Sequence, residues 1–163
     1  MRDFMTEQLV ARKTTATDIL IKAGLILATA ISLLCFFANT LFTVLFVVLV
    51  FVDMYVFKRL DVEFEYTYFE GTLDIAKIMS KQSRKELFST DIKEEMEIMA
   101  PTGTPEVERY EVAKVLDYST KNPENKTYTM ITLHKGQKVK MIFEPNEKML
   151  NSMRDTAPRK VIF

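Results

Sequence analysis

Few side chains in this sequence are of kinds that perform covalent or metal chemistry. It has one histidine, His134, one cysteine, Cys35, and no tryptophan. A zinc site needs three or four converging Cys, His or carboxylate ligands. Nucleophilic catalysis needs a nucleophile, a base within hydrogen-bond reach and a group that orients the base. His134 precedes Lys135-Gly136 at the mouth of an expected hairpin, where a solvated turn residue is expected rather than a general base. Glu94 and Glu95 fall in a charged stretch whose ordinary role is solubility. The four glycines, Gly24, Gly71, Gly103 and Gly136, are too dispersed to cradle a phosphate. The expectation is a non-enzymatic chain with no catalytic residue, cofactor or metal.

Charge says more. Lys plus Arg and Asp plus Glu number 22 each, which argues against nucleic acid as a partner, because that footprint is a basic excess. Basic residues gather twice, at Lys77, Lys81, Arg84 and Lys85 and at Lys135, Lys138 and Lys140. Facing a bilayer, each such charge contributes about 1 kcal/mol of attraction to anionic lipid. Neighbouring acids dilute the first group, and alternate positions in the second suit the wet face of a strand. Lys22 and Asp53 flank a long apolar region, where they can form an ion pair at its boundary or a relay within it.

The apolar region itself runs from Ala23 to Val52 without a charge. One straight helix of that length would span about 45 Å against a hydrocarbon core of about 30 Å. Two crossings fit better, Ile19 to Phe37 and Leu41 to Phe57, with Ala38-Asn39-Thr40 as the polar break. Thr17 or Asp18 can cap the first helix. Arg12 and Lys13 precede the first span and Lys22 lies in its first turn, and Lys58 and Arg59 follow the second, so the positive-inside rule places both termini in the cytoplasm of a two-span cell-membrane protein. A secretory signal ending near Ala28-Thr29-Ala30 is the competing reading, but the apolar stretch continues into a second span. Gly24, Ala28 and Ser32 at i, i+4 and i+8 form a small-residue stripe that admits a close helix, either the second span or another copy in a homo-oligomer. The segment 1–18, with Phe4, Met5, Leu9 and Val10 among charges, reads as an interfacial helix or a frayed end.

After Arg59 the apolar period changes to two. Val62, Phe64, Tyr66 and Tyr68 alternate with polar residues, as in a half-buried strand. Further strands are expected at Leu73–Met79, Lys85–Thr90, Met96–Met99, Glu111–Tyr118, Tyr128–His134 and Gln137–Phe143. Pro101–Pro105 and Ser119–Lys126 read as loops. Met149, Leu150, Met153 and Ala157 mark one face of a helix over 145–157, opened by Pro145 and ended by Pro158. Residues 60–163 thus read as seven antiparallel strands and a capping helix, the element order of a pleckstrin-homology-like barrel or curved sheet. The terminal Arg159–Phe163 can add an edge strand.

The stretches RLDVEFEYTYFEGTLDIAKIMSKQSRKELF and GQKVKMIFEPNEKMLNSMRDTAPRKVIF resemble a family of small two-span membrane proteins of anaerobic Gram-positive bacteria. More loosely, they are similar to membrane-attached bacterial pleckstrin-homology-like domains. The resemblance implies this architecture across nearly the whole chain and carries no known activity. In phosphoinositide-binding relatives of the fold the first hairpin turn is basic, whereas here it reads Phe69-Glu70-Gly71-Thr72.

Two function classes follow. In the first, the hairpin tethers a binding or assembly module that meets a membrane or membrane-proximal protein, with Arg159, Lys160 and Ile162 as expected contact residues. In the second, the lysine groups sense anionic lipid, through Lys81, Arg84 and Lys85 or through Lys135, Lys138 and Lys140.

Overall fold

A computed structural model describes residues 5–37 and 39–163. Phe4 and Ala38 lie outside the described residues. The chain divides into two compact units, residues 13–62 and a second made of residues 1–12 with 63–163.

The first unit is a helical hairpin. Helix α1 covers Ala16–Leu34 and α2 Thr40–Leu60, both long and apolar enough to cross a membrane. Thr15, rather than Thr17 or Asp18, caps α1. Its hydroxyl accepts from the Asp18 amide while the Asp18 carboxylate accepts from the Thr15 amide, a reciprocal capping box. Asn39 caps α2 by accepting from the Leu41 amide, and Lys58 and Arg59 fall in its last turn, where cations oppose the helix dipole.

Helix pairing sets a register that the charge pattern did not reveal. Lys22 lies over the Phe57 ring at 6.0 Å, the Thr29 hydroxyl donates to Asp53 at 2.7 Å, and the Thr43 hydroxyl donates to the Phe36 carbonyl at 3.2 Å. The expected Lys22–Asp53 pair does not form, because the helices align about one turn away from the symmetry that pairing requires. Since α2 continues to Leu60, Asp53 lies about 10 Å inside its end instead of within the last turn. Of the small-residue stripe, Ser32 is buried and Ala28 partly so. Gly24 is exposed, and a Cβ added there would meet nothing, so it is not where α2 approaches α1 closely.

Among the described residues, the second unit contains eight strands in two four-stranded sheets that do not close into a barrel. The first sheet has the order β1 (Met5–Ala11), β2 (Val62–Phe69), β3 (Thr72–Met79), β4 (Ser83–Asp91). The second has the order β5 (Met96–Pro101), β7 (Tyr128–His134), β8 (Gln137–Phe143), β6 (Lys114–Asp117). A short helix α3 (Pro105–Glu108) lies between β5 and β6, starting at the end of the expected Pro101–Pro105 loop and running through residues with no expected element. Val107 of α3 packs with Ile98, Ala100 and Ile131, and the parallel pairing of β6 with β8 follows from that crossover.

The largest departure from expectation is β1. Met5–Ala11 is neither an interfacial helix nor frayed. It pairs antiparallel with β2 from Met5↔Phe69 to Ala11↔Glu63. Thr6 and Val10 are buried on one face while Met5 and Leu9 are exposed on the other, which is period two, not 3.6. The seven-residue segment is too short for its period to separate strand from helix without the partner strand. Gln8 secures it by donating to the Glu144 carbonyl at 2.8 Å and accepting from the Asn146 amide at 2.7 Å. The helical hairpin is therefore an insertion between two paired strands.

Between the sheets lies the core, with Tyr66, Leu73, Ile75 and Phe88 on one side and Met99, Met130, Met141 and Phe143 on the other. The Tyr66 ring meets Phe143 edge-on at 5.7 Å, and its hydroxyl donates to the Tyr118 carbonyl. Helix α4 (Glu147–Thr156), capped by Asn146, contributes Met149, Leu150 and Met153 to the same core. Its Thr156 hydroxyl bonds to that of Tyr68 on β2.

Candidate functional site

The described residues contain no group of three His, Cys, Asp or Glu arranged to hold a metal. His134 does not point freely into solvent. It stacks on Phe88 at 4.8 Å with the rings 27° apart, a packing role for an imidazole between two sheets. Glu95 accepts from the Asp91 amide, so this carboxylate closes the β4–β5 turn. Glu144, which drew no notice in the sequence, is the most elaborately held carboxylate. It is 6% exposed and accepts from the Thr120 amide and hydroxyl at 2.8 and 2.6 Å and from Asn125 at 2.9 Å. It thereby pins the Ser119–Lys126 loop. The loop's own residues supply neutral donors at every bond, which is why no charge pattern signals it.

The terminal segment is already engaged. The Met99 amide donates to the Lys160 carbonyl at 2.7 Å, and the Ile162 amide donates to the Met99 carbonyl at 2.8 Å. Val161 is buried between them. The Lys160 ammonium donates to the Lys93 and Met96 carbonyls, both at 2.7 Å. Lys160 and Ile162, read as contacts for another protein, thus lend their backbone to closing the edge of β5, and Arg159 leads into that strap. The expected edge strand is one isolated bridge, Met99↔Val161.

The two basic groups prove unequal. Lys138 pairs with Glu97 at 2.7 Å and Lys140 with Glu108 at 2.8 Å, so the group at β8 is largely compensated by β5 and α3. On the first sheet, Arg84 pairs with Glu65 of β2, which raises the guanidinium pKa further. Lys77, Lys81 and Lys85 have no ion pair among the described residues. Lys77 and Lys85 are cross-strand partners, a juxtaposition of like charges that ordinarily destabilises a ladder. No acidic residue lies between them in the sequence.

Lys81 occupies the tip of the β3–β4 turn. The Gln82 amide donates to the Met79 carbonyl at 3.1 Å, and Ser80 and Lys81 have φ of 49° and 54°. Both central residues are left-handed, the geometry of a type I′ hairpin turn. The domain's other two such turns place glycine second, Glu70-Gly71 and Lys135-Gly136, with Gly71 and Gly136 at φ of 99° and 75°. Only at Lys81 does a side chain occupy that position. Beside it, Leu9, Ala11, Glu63, Ile78 and Lys81 line an open groove of about 500 Å³. Ala11 and Glu63 are the residues at which the chain leaves and re-enters the sheet, so this turn stands at the end where the helical insertion is attached.

Neither curated proteins nor solved structures provide a match to this chain. A family model described as a bacterial PH-like domain matches residues 2–163, taking in the helical insertion together with both sheets and α4. The chain belongs to the bacterial PH-like domain family DUF6106.

Proposed function

We propose that this protein is a non-enzymatic, membrane-tethered binding module, in which the inserted hairpin crosses the cell membrane twice and holds the PH-like domain at the cytoplasmic surface for assembly with a membrane or membrane-proximal protein. The observation that carries this reading is the insertion itself. The domain is linked to the hairpin twice, by a few residues after Ala11 and by Asp61 alone before Val62, and an extended residue reaches only about 3.5 Å. A tether that short confines the search for a partner to the membrane surface and raises effective concentration without adding contacts. The exposed apolar residues of both helices, among them Leu27, Leu34, Leu41 and Phe51, suit a hydrocarbon surround.

Photocrosslinking in native membranes tests the reading, with the reactive residue at position 81, 115 or 138. A reproducible protein adduct would support assembly. Adducts to lipid alone would favour the lipid sensor, which Lys77, Lys81 and Lys85, without an ion pair among the described residues, support. A chain released from membranes by an alkaline wash would refute tethering.

A further inference from the structure

We infer that the β3–β4 tip, with Lys81 at its apex and Lys77 and Lys85 behind it, is a contact for anionic lipid headgroups in the bilayer that holds the hairpin. The inference rests on the proposed membrane tether and names the surface through which the tethered domain meets the bilayer. Four observations converge on it. The tip and the chain's exit and re-entry points, Ala11 and Glu63, border one groove. The three lysines lack ion pairs among the described residues, whereas Lys138 and Lys140 are paired. Lys81 keeps a side chain in a left-handed position that the two sister turns give to glycine, and strain retained at an exposed tip is characteristic of a site that uses the side chain. Exposed Leu9 and partly exposed Ile78 flank the tip, so apolar surface lies beside the charge, as at other interfacial sites. The acids in range are Glu63 in the groove, Glu65 held by Arg84, Asp74 held by Ser89, and Glu86. None separates the three lysines from the tip. A bilayer is favoured over a free anion because Lys77 and Lys85 share one face of the hairpin while Lys81 stands at its apex beside the apolar Leu9 and Ile78, so the three cations are spread along the hairpin end rather than gathered round one point.

The test uses the full chain with Cys35→Ser and a fluorophore at Gln82→Cys, reconstituted in vesicles of phosphatidylcholine alone or mixed with phosphatidylglycerol and quenched by spin-labelled lipid. Quenching is expected in the mixed vesicles and is expected to fade as salt is raised. Each of Lys77→Gln, Lys81→Gln and Lys85→Gln is expected to lower the ratio of docked to free tip about fivefold. Lys81→Gly is expected to lose the same fivefold while raising the unfolding midpoint, a split that a purely structural turn would not produce. Equal quenching in neutral and anionic vesicles would overturn the inference, as would an unchanged signal in the triple variant. Release by inorganic phosphate at constant ionic strength would overturn it in favour of a small-anion site. Failure of the tether itself reads out separately, as a chain that leaves the vesicles in an alkaline wash.

Discussion

Excising the helical insertion should leave a soluble, folded domain, provided that β1 stays. Ala11 and Glu63 are registered partners, so the next pair, Arg12 and Val62, can be joined by a two-residue Asn-Gly turn in place of residues 13–61. The comparison is with residues 62–163 alone, which lack β1. The missing strand removes burial of Val10, worth about 1.5–2 kcal/mol. It also removes the two Gln8 bonds to the backbone at Glu144 and Asn146, about 1 kcal/mol each. These side-chain terms alone come to about 3.5 kcal/mol, a large part of the 5–15 kcal/mol that holds a domain together. Loss of β1 further opens the β2 edge, a template for association. Urea unfolding followed by circular dichroism should give one cooperative transition for the joined domain and a much earlier one, or aggregation, for 62–163. Coincident transitions, with both fragments monomeric, would refute the role assigned to β1.

Lys81→Gly should stabilise the joined domain by about 1 kcal/mol, by removing a left-handed non-glycine residue, as thermal unfolding would record. Glu144→Ala should cost about 3 kcal/mol, because hydrogen bonds to a carboxylate are strong and the Thr120 amide is left unpaired; unchanged hydrogen exchange in Ser119–Lys126 would contradict this. Lys160→Met should cost about 1–2 kcal/mol through the loss of two carbonyl contacts, measured by urea midpoint. Tyr66 has its phenol pKa raised chiefly by burial, and Tyr68 and Tyr118 shift the same way. The folded state therefore favours the neutral phenol. That stability is complete below the ordinary phenol pKa of about 10 and is lost as pH rises above it. Unfolding midpoints should fall above about pH 10, less steeply in Tyr66→Phe.

The strand sequence from Val62 to Phe143 was legible because period-two alternation and glycine turns act locally. Val62, Phe64, Tyr66 and Tyr68 all face inward as the pattern requires. The amphipathic stripe of α4 was equally plain, though Asn146 rather than Pro145 opens the helix. What stayed hidden depends on partners distant in sequence. β1 is defined by β2 across the whole insertion, and the packing of one sheet on the other by side-chain bonds such as Thr90 on β4 to Thr132 on β7 at 2.7 Å. The same holds for the charges. Lys138 and Lys81 are equivalent as isolated lysines, and only Glu97 on another strand tells them apart. Asp53 was visible as a carboxylate bordering the long apolar region, but its partner Thr29 depends on a helix register that no charge symmetry sets.

In the proposed topology the insertion crosses a membrane twice, leaving the domain on the cytoplasmic side. Single-cysteine labelling in intact cells tests it most directly, with Asn39→Cys and Ser83→Cys each in a Cys35→Ser background. A membrane-impermeant maleimide is expected to label position 39 in intact cells and position 83 only after permeabilisation. Labelling of both positions only after permeabilisation, or of position 83 in intact cells, would contradict it.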